Sequence, residues 1–564
     1  MTPIHPVASS PGPAATSPQA QPPVRRRFDL LVFADTVHTM DPGQPTASAI
    51  GIRQGTITWV GQASDVQEAD ATEILRAAGG CVTPGLVDAH IHPVLGLEVT
   101  RGADLNAVTA AEQLHAALAS PESSSTPGAD WVLGWGLDPS MVTGRNLCAR
   151  DLDEAVPHRP AFVRLFDGHS AVVNTRALEL AGLTGRERFA SSAVVEVDAD
   201  GLPTGFLKEW DAMALVLAHV PAPAFEDRLD ALLGVLAMMG DAGLTGGQVL
   251  DWSDGMLDLV AAAEERGELP IRLCFSPWIM PGDSEDRLRS VIDLQGRSGR
   301  RWTVEGVKLM IDGTIDNGTA WLDRPDVNGE STGPLWLDAR SFTETLHRLD
   351  AQGIRTTTHA IGDGAVRYVL DAIASAPGGA GGPDGTPRHR IEHIETIPDD
   401  LVGRFAELDV AASMQPTHCS LYCSGDGTDN WSRRLGDERT GNAWRLGSLR
   451  RAGVTVAVGS DWPIAPCDPL RIIADGQLRR EAGKPSQPPV VPEEALTAFQ
   501  LLEGFTTHRA RSWGRADGGR IAVGQPADLS VFSGDPLTTA PDDLPGLAVV
   551  ATVVDGTVRR PGRG

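Results

Sequence analysis

The sequence predicts an α/β fold in which eight parallel strands alternate with helices and close into a barrel. The chain has 564 residues, enough for one large barrel and an accessory domain. Its middle alternates short apolar strands with Ala- and Leu-rich helical stretches, which is the pattern of βαβ units. Its two ends carry a different, β-rich pattern, so we expect both ends to build one smaller domain.

Composition restricts the class of protein and its partners. Apolar residues make up 41% of the chain and charged residues 22%, which is ordinary globular usage. The net charge of −26 would repel phosphate backbones and anionic lipid, so it excludes nucleic acid and membrane surfaces as partners. Six cysteines without regular spacing favour buried thiols in a reducing compartment over a disulfide framework.

The two ends are interpreted as a tail and a split domain. Residues 1–27 are rich in Pro and Ala and are expected to be disordered. The apolar stretch after Arg25–Arg27 is too short for an export signal, which predicts a cytoplasmic protein. Residues 28–82 and 511–564 both alternate apolar runs with turn residues, and we expect them to form the two parts of a small β-sandwich.

The barrel is expected to span residues 83–510. Residues from about 97 to 240 separate the first two strands and contain strand-like pieces of their own, WVLGWG and AFVRLF. This segment is predicted to be an insertion that forms a lid or a pocket wall. The eight strand candidates are VDAHIH, LTGGQVL, IRLCFSP, GVKLMID, RTTTHAI, HRIEHIE, DVAASMQ and VTVAVGS. Eight βα units of this kind predict a (β/α)8 TIM barrel.

Polar residues interrupt or end several of these apolar strands. His90 and His92 are two residues apart in the first strand, so their side chains point the same way. The C-terminal ends of barrel strands are where active sites lie. The other strand residues of this kind are His359, His393, Asp461 and Lys308.

This set of side chains predicts a metal centre. Imidazole and carboxylate groups bind divalent first-row metals, most often zinc. A protonated lysine cannot bind a cation, but a carbamate formed from its amine and carbon dioxide can bridge two metals. The chain has only three lysines, Lys208, Lys308 and Lys484, and one of them lies in a barrel strand. We therefore predict a bound metal and a carbamate on Lys308.

Motifs along residues 28–560 resemble the metal-dependent amidohydrolase superfamily, in the amidohydrolase-3-like branch that includes N-substituted formamide deformylases. They are DLLVFADTVHTMD, GIRQGTITWVG, PGLVDAHIHP, WVLGWGLDPS, DGHSAVVNTRAL, PTGFLKE, VKLMIDG, THAIGD, RIEHIE, MQPTHC, GSDWP and GRIAVGQPADLSVF. The resemblance implies that His90, His92 and Asp461 bind the more buried metal. It also implies that carboxylated Lys308 bridges to a second metal held by His359 and His393. A homodimer is implied at the level of the family.

The expected reaction is hydrolysis of a carbon–nitrogen bond in a small amide, N-formyl or N-acyl compound. Asp461 is the expected general base and proton shuttle, and His359 or His393 is expected to help stabilise the oxyanion. Deamination and cyclic-amide hydrolysis are alternatives on the same site. A two-carboxylate glycosidase and a non-catalytic binding protein are alternatives from other classes.

Residues outside the strand ends complete the prediction. Glu392 is expected to point away from His393, because neighbouring strand residues face opposite sides, and either to act structurally or to support a metal-binding residue. Lys208 and Glu209 are interpreted as a local ion pair. The candidate substrate-binding residues are Trp135, Asp138, His169, Gln415 and His418.

Overall fold

The structure is a computed structural model that describes residues 27–123, 131–141, 146–253, 255–379, 381–382 and 385–562. Except for Arg27, the predicted tail lies outside these residues. Strands and helices alternate along most of the described chain, which confirms the α/β class.

The strands of the described residues follow one another along the whole chain. In chain order they are β1 (Phe28–His38), β2 (Thr46–Arg53), β3 (Thr56–Gly61), β4 (Ala71–Pro84), β5 (Leu86–Ile91), β6 (Ala103–Asp104), β7 (Val132–Leu137), β8 (Ala161–Leu165), β9 (Ser170–Val173), β10 (Val194–Val197), β11 (Pro203–Lys208), β12 (Leu244–Val249), β13 (Arg272–Phe275), β14 (Trp278–Ile279), β15 (Trp302–Val304), β16 (Val307–Met310), β17 (Thr356–Ala360), β18 (His389–His393), β19 (Ala411–Met414), β20 (Val456–Val458), β21 (Leu529–Phe532), β22 (Val549–Val554) and β23 (Thr557–Arg559).

The α-helices lie between these strands. They are α1 (Leu95–Val99), α2 (Ala111–Leu118), α3 (Ala149–Asp153), α4 (Thr175–Ala181), α5 (Trp210–Leu217), α6 (Phe225–Asp241), α7 (Met256–Arg266), α8 (Glu285–Asp293), α9 (Ala339–Ala351), α10 (Asp363–Ala374), α11 (Asp399–Glu407), α12 (Pro416–Tyr422), α13 (Asn430–Leu435), α14 (Asp437–Thr440), α15 (Leu446–Arg451), α16 (Pro469–Leu478), α17 (Ala498–Phe505) and α18 (Thr507–Ser512). Over the described residues, none of them combines the length and the apolar character that crossing a bilayer requires.

Both ends of the chain share one seven-stranded sheet, in the order β23-β22-β21-β4-β1-β2-β3. Strand β4 joins the two ends, because it pairs in parallel with β1 and antiparallel with β21. One apolar cluster of the sheet includes Val32, Val82 and Val531, and another includes Phe28 and Leu31. The two termini therefore meet in one sheet, and the sandwich form stays a prediction.

The segment between β5 and β12 builds a sheet of its own, in the order β10-β11-β9-β8-β7-β6. It has separate apolar clusters, one around Val132 and Val163 and another around Ala171 and Leu207. The predicted insertion thus contains a sheet, and its residues reach the cavity described below.

Each of the eight strand candidates contains a strand, and these strands are parallel to their neighbours. The structure divides them between two sheets, β15-β13-β12-β5 and β14-β16-β17-β18-β19-β20. Backbone hydrogen bonds join the outer edges of the two sheets: Asp461 N donates to His90 O at 2.8 Å, and His92 N donates to Trp462 O at 2.9 Å. On the opposite side the chain itself passes from β13 in one sheet to β14 in the other, and β14 pairs in parallel with β16. Closure into a single barrel sheet stays a prediction.

Candidate metal centre

His90, His92 and Asp461 bring three potential ligand atoms together in the interior. His90 Nε2 lies 3.2 Å from His92 Nε2 and 3.2 Å from Asp461 Oδ1, and His92 Nε2 lies 3.0 Å from Asp461 Oδ1. Tetrahedral zinc, with bonds of about 2.0–2.2 Å, separates its nitrogen and oxygen ligands by roughly 3.3 Å. All three residues are buried. Their spacing therefore fits a metal ion.

Backbone conformation explains why these three side chains meet. His90 and His92 point the same way because they are two residues apart at the end of β5. Asp461 follows β20 and adopts a φ of 60°, in the left-handed region that residues other than glycine seldom occupy. Such backbone conformations are often found at functional sites. Here it accompanies the bond from Asp461 N to His90 O, which ties the aspartate to β5.

Glu392 corrects one prediction, because its side chain faces the same centre as His393. His90 Nδ1 donates to Glu392 Oε2 at 2.8 Å, and the carboxylate is fully buried. Burial alone would raise the pKa of Glu392, but Arg390 and His90 hold it well below its usual range. The prediction assumed extended backbone, whereas His393 has a φ of 71° and turns inward at the end of β18. Glu392 therefore fixes His90 with its Nε2 lone pair toward the cluster.

A second potential ligand group shares Asp461 with the first. The ligand atoms of His393, His418 and Asp461 lie within 4.8 Å of one another, and all three residues are buried. His393 Nδ1 donates to Gln415 Oε1 at 3.0 Å. His418 Nε2 lies 3.8 Å from Asp461 Oδ2 and has no hydrogen-bond partner among the described residues. His418, which the sequence indicated only as a candidate substrate-binding residue, thus belongs to this second group of potential ligands.

His359 and Lys308 lie beside these groups rather than in either of them. The His359 ring centre is 4.5 Å from that of His393, and His359 Nε2 donates to Gly313 O at 3.1 Å. Lys308 is 1% exposed and lines the same cavity as His90 and Asp461. Burial lowers the pKa of the Lys308 amine to about 8.

These residues line a cavity of about 820 Å³, including its open mouth. Aromatic side chains that were not among the predicted site residues form much of its wall: Phe166, Trp210, Trp278, Tyr422 and Trp444. They are dispersed along the chain, so no local pattern marks them.

The insertion contributes His169 to the same cavity. His169 Nδ1 bonds Glu209 Oε2 at 2.8 Å, and its ring centre lies 5.0 Å from that of His359. The predicted pair between Lys208 and Glu209 is wrong, because Lys208 Nζ bonds Glu330 Oε1 at 3.1 Å instead. Successive residues at the end of β11 point in different directions, which separates the two partners.

The other candidate substrate-binding residues have different positions. Gln415 is buried and contacts His393 rather than the open cavity. Trp135 is half-buried on β7, Asp138 is exposed, and neither lines the cavity. The motif WVLGWGLDPS, which contains both residues, therefore did not predict that they lie outside the cavity.

Comparison of the chain with known proteins identifies its family. The model of the amidohydrolase family matches residues 73–560. The chain is 29% identical over 535 residues to the putative amidohydrolase YtcJ of Bacillus subtilis (strain 168), covering 93% of this chain and 97% of that protein. It is 26% identical over 552 residues to the N-substituted formamide deformylase of Arthrobacter pascens, covering 94% and 98%.

A solved structure shares the fold. An uncharacterized metal-dependent hydrolase from Pyrococcus horikoshii OT3 superposes with a TM-score of 0.69 at 24% identity, covering 91% of this chain and 99% of that one. Because the family match extends over most of the chain, the protein belongs to the amidohydrolase family.

Proposed function

We propose that the protein hydrolyses the carbon–nitrogen bond of a small amide, in an N-formyl or N-acyl compound, with the help of a bound divalent metal. The convergence of His90 Nε2, His92 Nε2 and Asp461 Oδ1 within 3.2 Å of one another carries the proposal. The full-length similarity to an N-substituted formamide deformylase supports this class of substrate. The apolar, aromatic wall of the cavity also suits an amide with an apolar substituent.

The donor set favours zinc, since two imidazoles and a carboxylate are common zinc ligands. Asp461 Oδ1 is buried and accepts no hydrogen bond within the described chain, as expected of an atom reserved for a cation. For a second ion we propose His393, His359 and a carbamate on Lys308. His418 is an added candidate because of its position beside Asp461.

Hydrogen bonds to the imidazoles indicate which nitrogen each one presents. His359 Nε2 donates to Gly313 O, and His393 Nδ1 donates to Gln415 Oε1. Burial holds the pKa of each histidine well below its ordinary value. Each neutral ring therefore presents its other nitrogen as a lone pair, which suits metal binding better than donation to an oxyanion.

The remaining chemistry falls to Asp461 and the cavity wall. A bound divalent metal would supply Lewis acidity, polarising the carbonyl and lowering the pKa of water. Asp461 orients the attacking water, accepts its proton and returns it to the leaving nitrogen. His169, held through Nδ1 by Glu209, presents its other nitrogen to the substrate. The aromatic side chains exclude bulk water from the reacting carbonyl.

We also propose that the two parallel sheets form one closed barrel and that the protein is cytoplasmic. The backbone bonds between β5 and the residues after β20 support closure. A closed barrel would bring the C-terminal ends of β5, β16, β17, β18 and β20 to one face, where the histidines, Lys308 and Asp461 lie.

The proposed reaction is tested with a panel of matched compounds. We expect purified, zinc-loaded protein to release amine from N-formyl or N-acyl amides with aromatic or alkyl substituents. Release of ammonia from an aminated ring, or opening of a cyclic amide, would identify the alternative reactions on this site. A zinc-loaded protein that acts on none of these compounds, and instead cleaves glycosides or only binds ligands, would contradict the proposal.

A further inference from the structure

A second cavity lies directly against the metal-centre cavity. It measures about 1150 Å³, including its open mouth, and it has three lining residues in common with the first: Leu95, Val99 and Trp210. Most of its wall is apolar, with Leu133, Phe162 and Trp252 among the lining residues. It lies between the insertion, represented by β7 and β8, and the chain after β12.

Arg164, on β8, is a buried cation in this wall. It is 4% exposed, and its guanidinium lies over the rings of Trp210 and Phe162, at 5.1 and 5.6 Å from their centres. Nη1 donates to Gly168 O at 3.1 Å and approaches Met213 Sδ at 3.5 Å. Within the described chain no carboxylate forms a direct ion pair with Arg164, although Asp167 and Glu98 act on it from a greater distance. Both of its hydrogen bonds to described residues use Nη1, which leaves Nε and Nη2 without a partner among them.

An unpaired guanidinium is unusual at this depth, because a buried charge is costly unless a counter-charge neutralises it. Burial lowers the pKa of Arg164 to about 10, so it remains protonated at neutral pH. A side chain with free donors in a cavity wall is therefore suited to an anion that enters the cavity.

A second arginine lies in the same wall. Arg228 lines the cavity and approaches Glu98 at 3.5 Å, and its buried Nε has no hydrogen-bond partner among the described residues. Asp167 and Glu98 are the carboxylates whose charges act on Arg164, and of these two only Glu98 lines the cavity. Two guanidinium groups with unused donors thus face this cavity, in a chain whose net charge is −26.

We propose that this arginine cavity, lined by Arg164 and Arg228, binds the terminal carboxylate of an apolar chain, and that the chain belongs to the amide substrate. The second half of this statement rests on the proposed function. Trp210 stands between the two cavities, with its ring 6.2 Å from that of His169 and 5.1 Å from Arg164 Cζ. A substrate of this class would hold its amide at the metal centre, pass Trp210 with its alkyl chain, and end at Arg164.

Binding is tested first, without turnover, by calorimetry on the full-length protein with octanoate and octanol. We expect octanoate to bind at least about tenfold more tightly, which is the contribution of charge-assisted hydrogen bonds. Arg164→Met should remove this advantage and leave octanol affinity unchanged, whereas Arg164→Lys should retain most of it.

Two further variants keep the test decisive. Arg228→Met lowers the positive charge of the cavity but keeps the hydrogen bond from Arg164 to Gly168. Its octanoate affinity therefore tests the proposal even if Arg164→Met fails to fold. Arg388→Met removes a half-buried guanidinium that pairs with Asp350 away from the cavity, and it should change nothing. Equal affinity for octanoate and octanol, or octanoate affinity unchanged in both cavity variants, would overturn the proposal.

Kinetics then distinguish a substrate carboxylate from a separate effector. Formamido-octanoate should have a higher kcat/KM than N-octylformamide, Arg164→Met should abolish the difference, and octanoate should inhibit competitively. Non-competitive inhibition by octanoate would overturn the assignment to substrate. If octanoate binding depends on Arg164 but neither formamide is hydrolysed, carboxylate binding in the cavity is supported and the proposed hydrolysis of formamides is contradicted.

Discussion

Asp461→Asn is expected to lower kcat/KM by about 100- to 10,000-fold, the range that a positioned general base contributes. Asparagine fits the same space, but its amide cannot accept the proton of the attacking water. It also removes the negative charge that Asp461 places 3.0 Å from His92 Nε2. The measurement is steady-state kinetics together with zinc content and the melting temperature.

Asp475→Asn is the matched control for this variant. Asp475 is also a buried aspartate, but it accepts hydrogen bonds from Ser420 and from Ala482 N and does not line the cavity. We expect its kcat/KM to stay close to that of the wild type. An Asp461→Asn protein that is folded, zinc-loaded and nearly as active as the wild type would refute the role given to Asp461.

Glu392→Gln is expected to weaken zinc binding by about 10- to 100-fold, as found when partners of metal-bound histidines are removed. The ionised carboxylate accepts from His90 Nδ1 at 2.8 Å and thereby orients the ring and raises its basicity. A neutral amide is a weaker acceptor and leaves Arg390 without its charged partner. Zinc affinity is measured by competition with a chelator, and activity should return when zinc is in excess.

Asp350→Asn is the matched control, because it also removes a carboxylate that contacts a buried histidine, but away from the metal centre. Asp350 Oδ1 lies 3.3 Å from His389 Nε2, and both side chains are fully buried. This variant should melt at a lower temperature than the wild type and bind zinc with the same affinity. If Glu392→Gln and Asp350→Asn change zinc affinity equally, Glu392 has no special role in positioning His90.

Much of the framework was predictable because it depends on local periodicity. Each of the eight apolar candidates contains a strand, since a short apolar run between helical stretches predicts a buried parallel strand. The pair His90 and His92 followed from the two-residue repeat of a strand, and Asp461 from its place after an apolar strand. The structure brings these three together.

Other parts of the site depend on conformations that the sequence does not display. The inward turn of His393 requires a φ of 71°, which strand alternation does not foresee, so the direction of Glu392 was wrong. The aromatic wall and the His169–Glu209 contact depend on how the insertion folds over the sheets. Arg164 left a signal, since it is a charge inside the apolar run AFVRLF, and such an interruption predicts a buried polar contact.

We propose that hydrolysis requires a metal ion held by His90, His92 and Asp461. The most direct test of this requirement is a zinc titration of metal-free protein, in which bound zinc and amide hydrolysis are followed together, with and without bicarbonate. We expect both to rise in parallel and to saturate at one or two equivalents, with bicarbonate favouring the second equivalent where Lys308 forms a carbamate. Hydrolysis at the full rate by zinc-free protein, with no change on adding metal, would contradict the account.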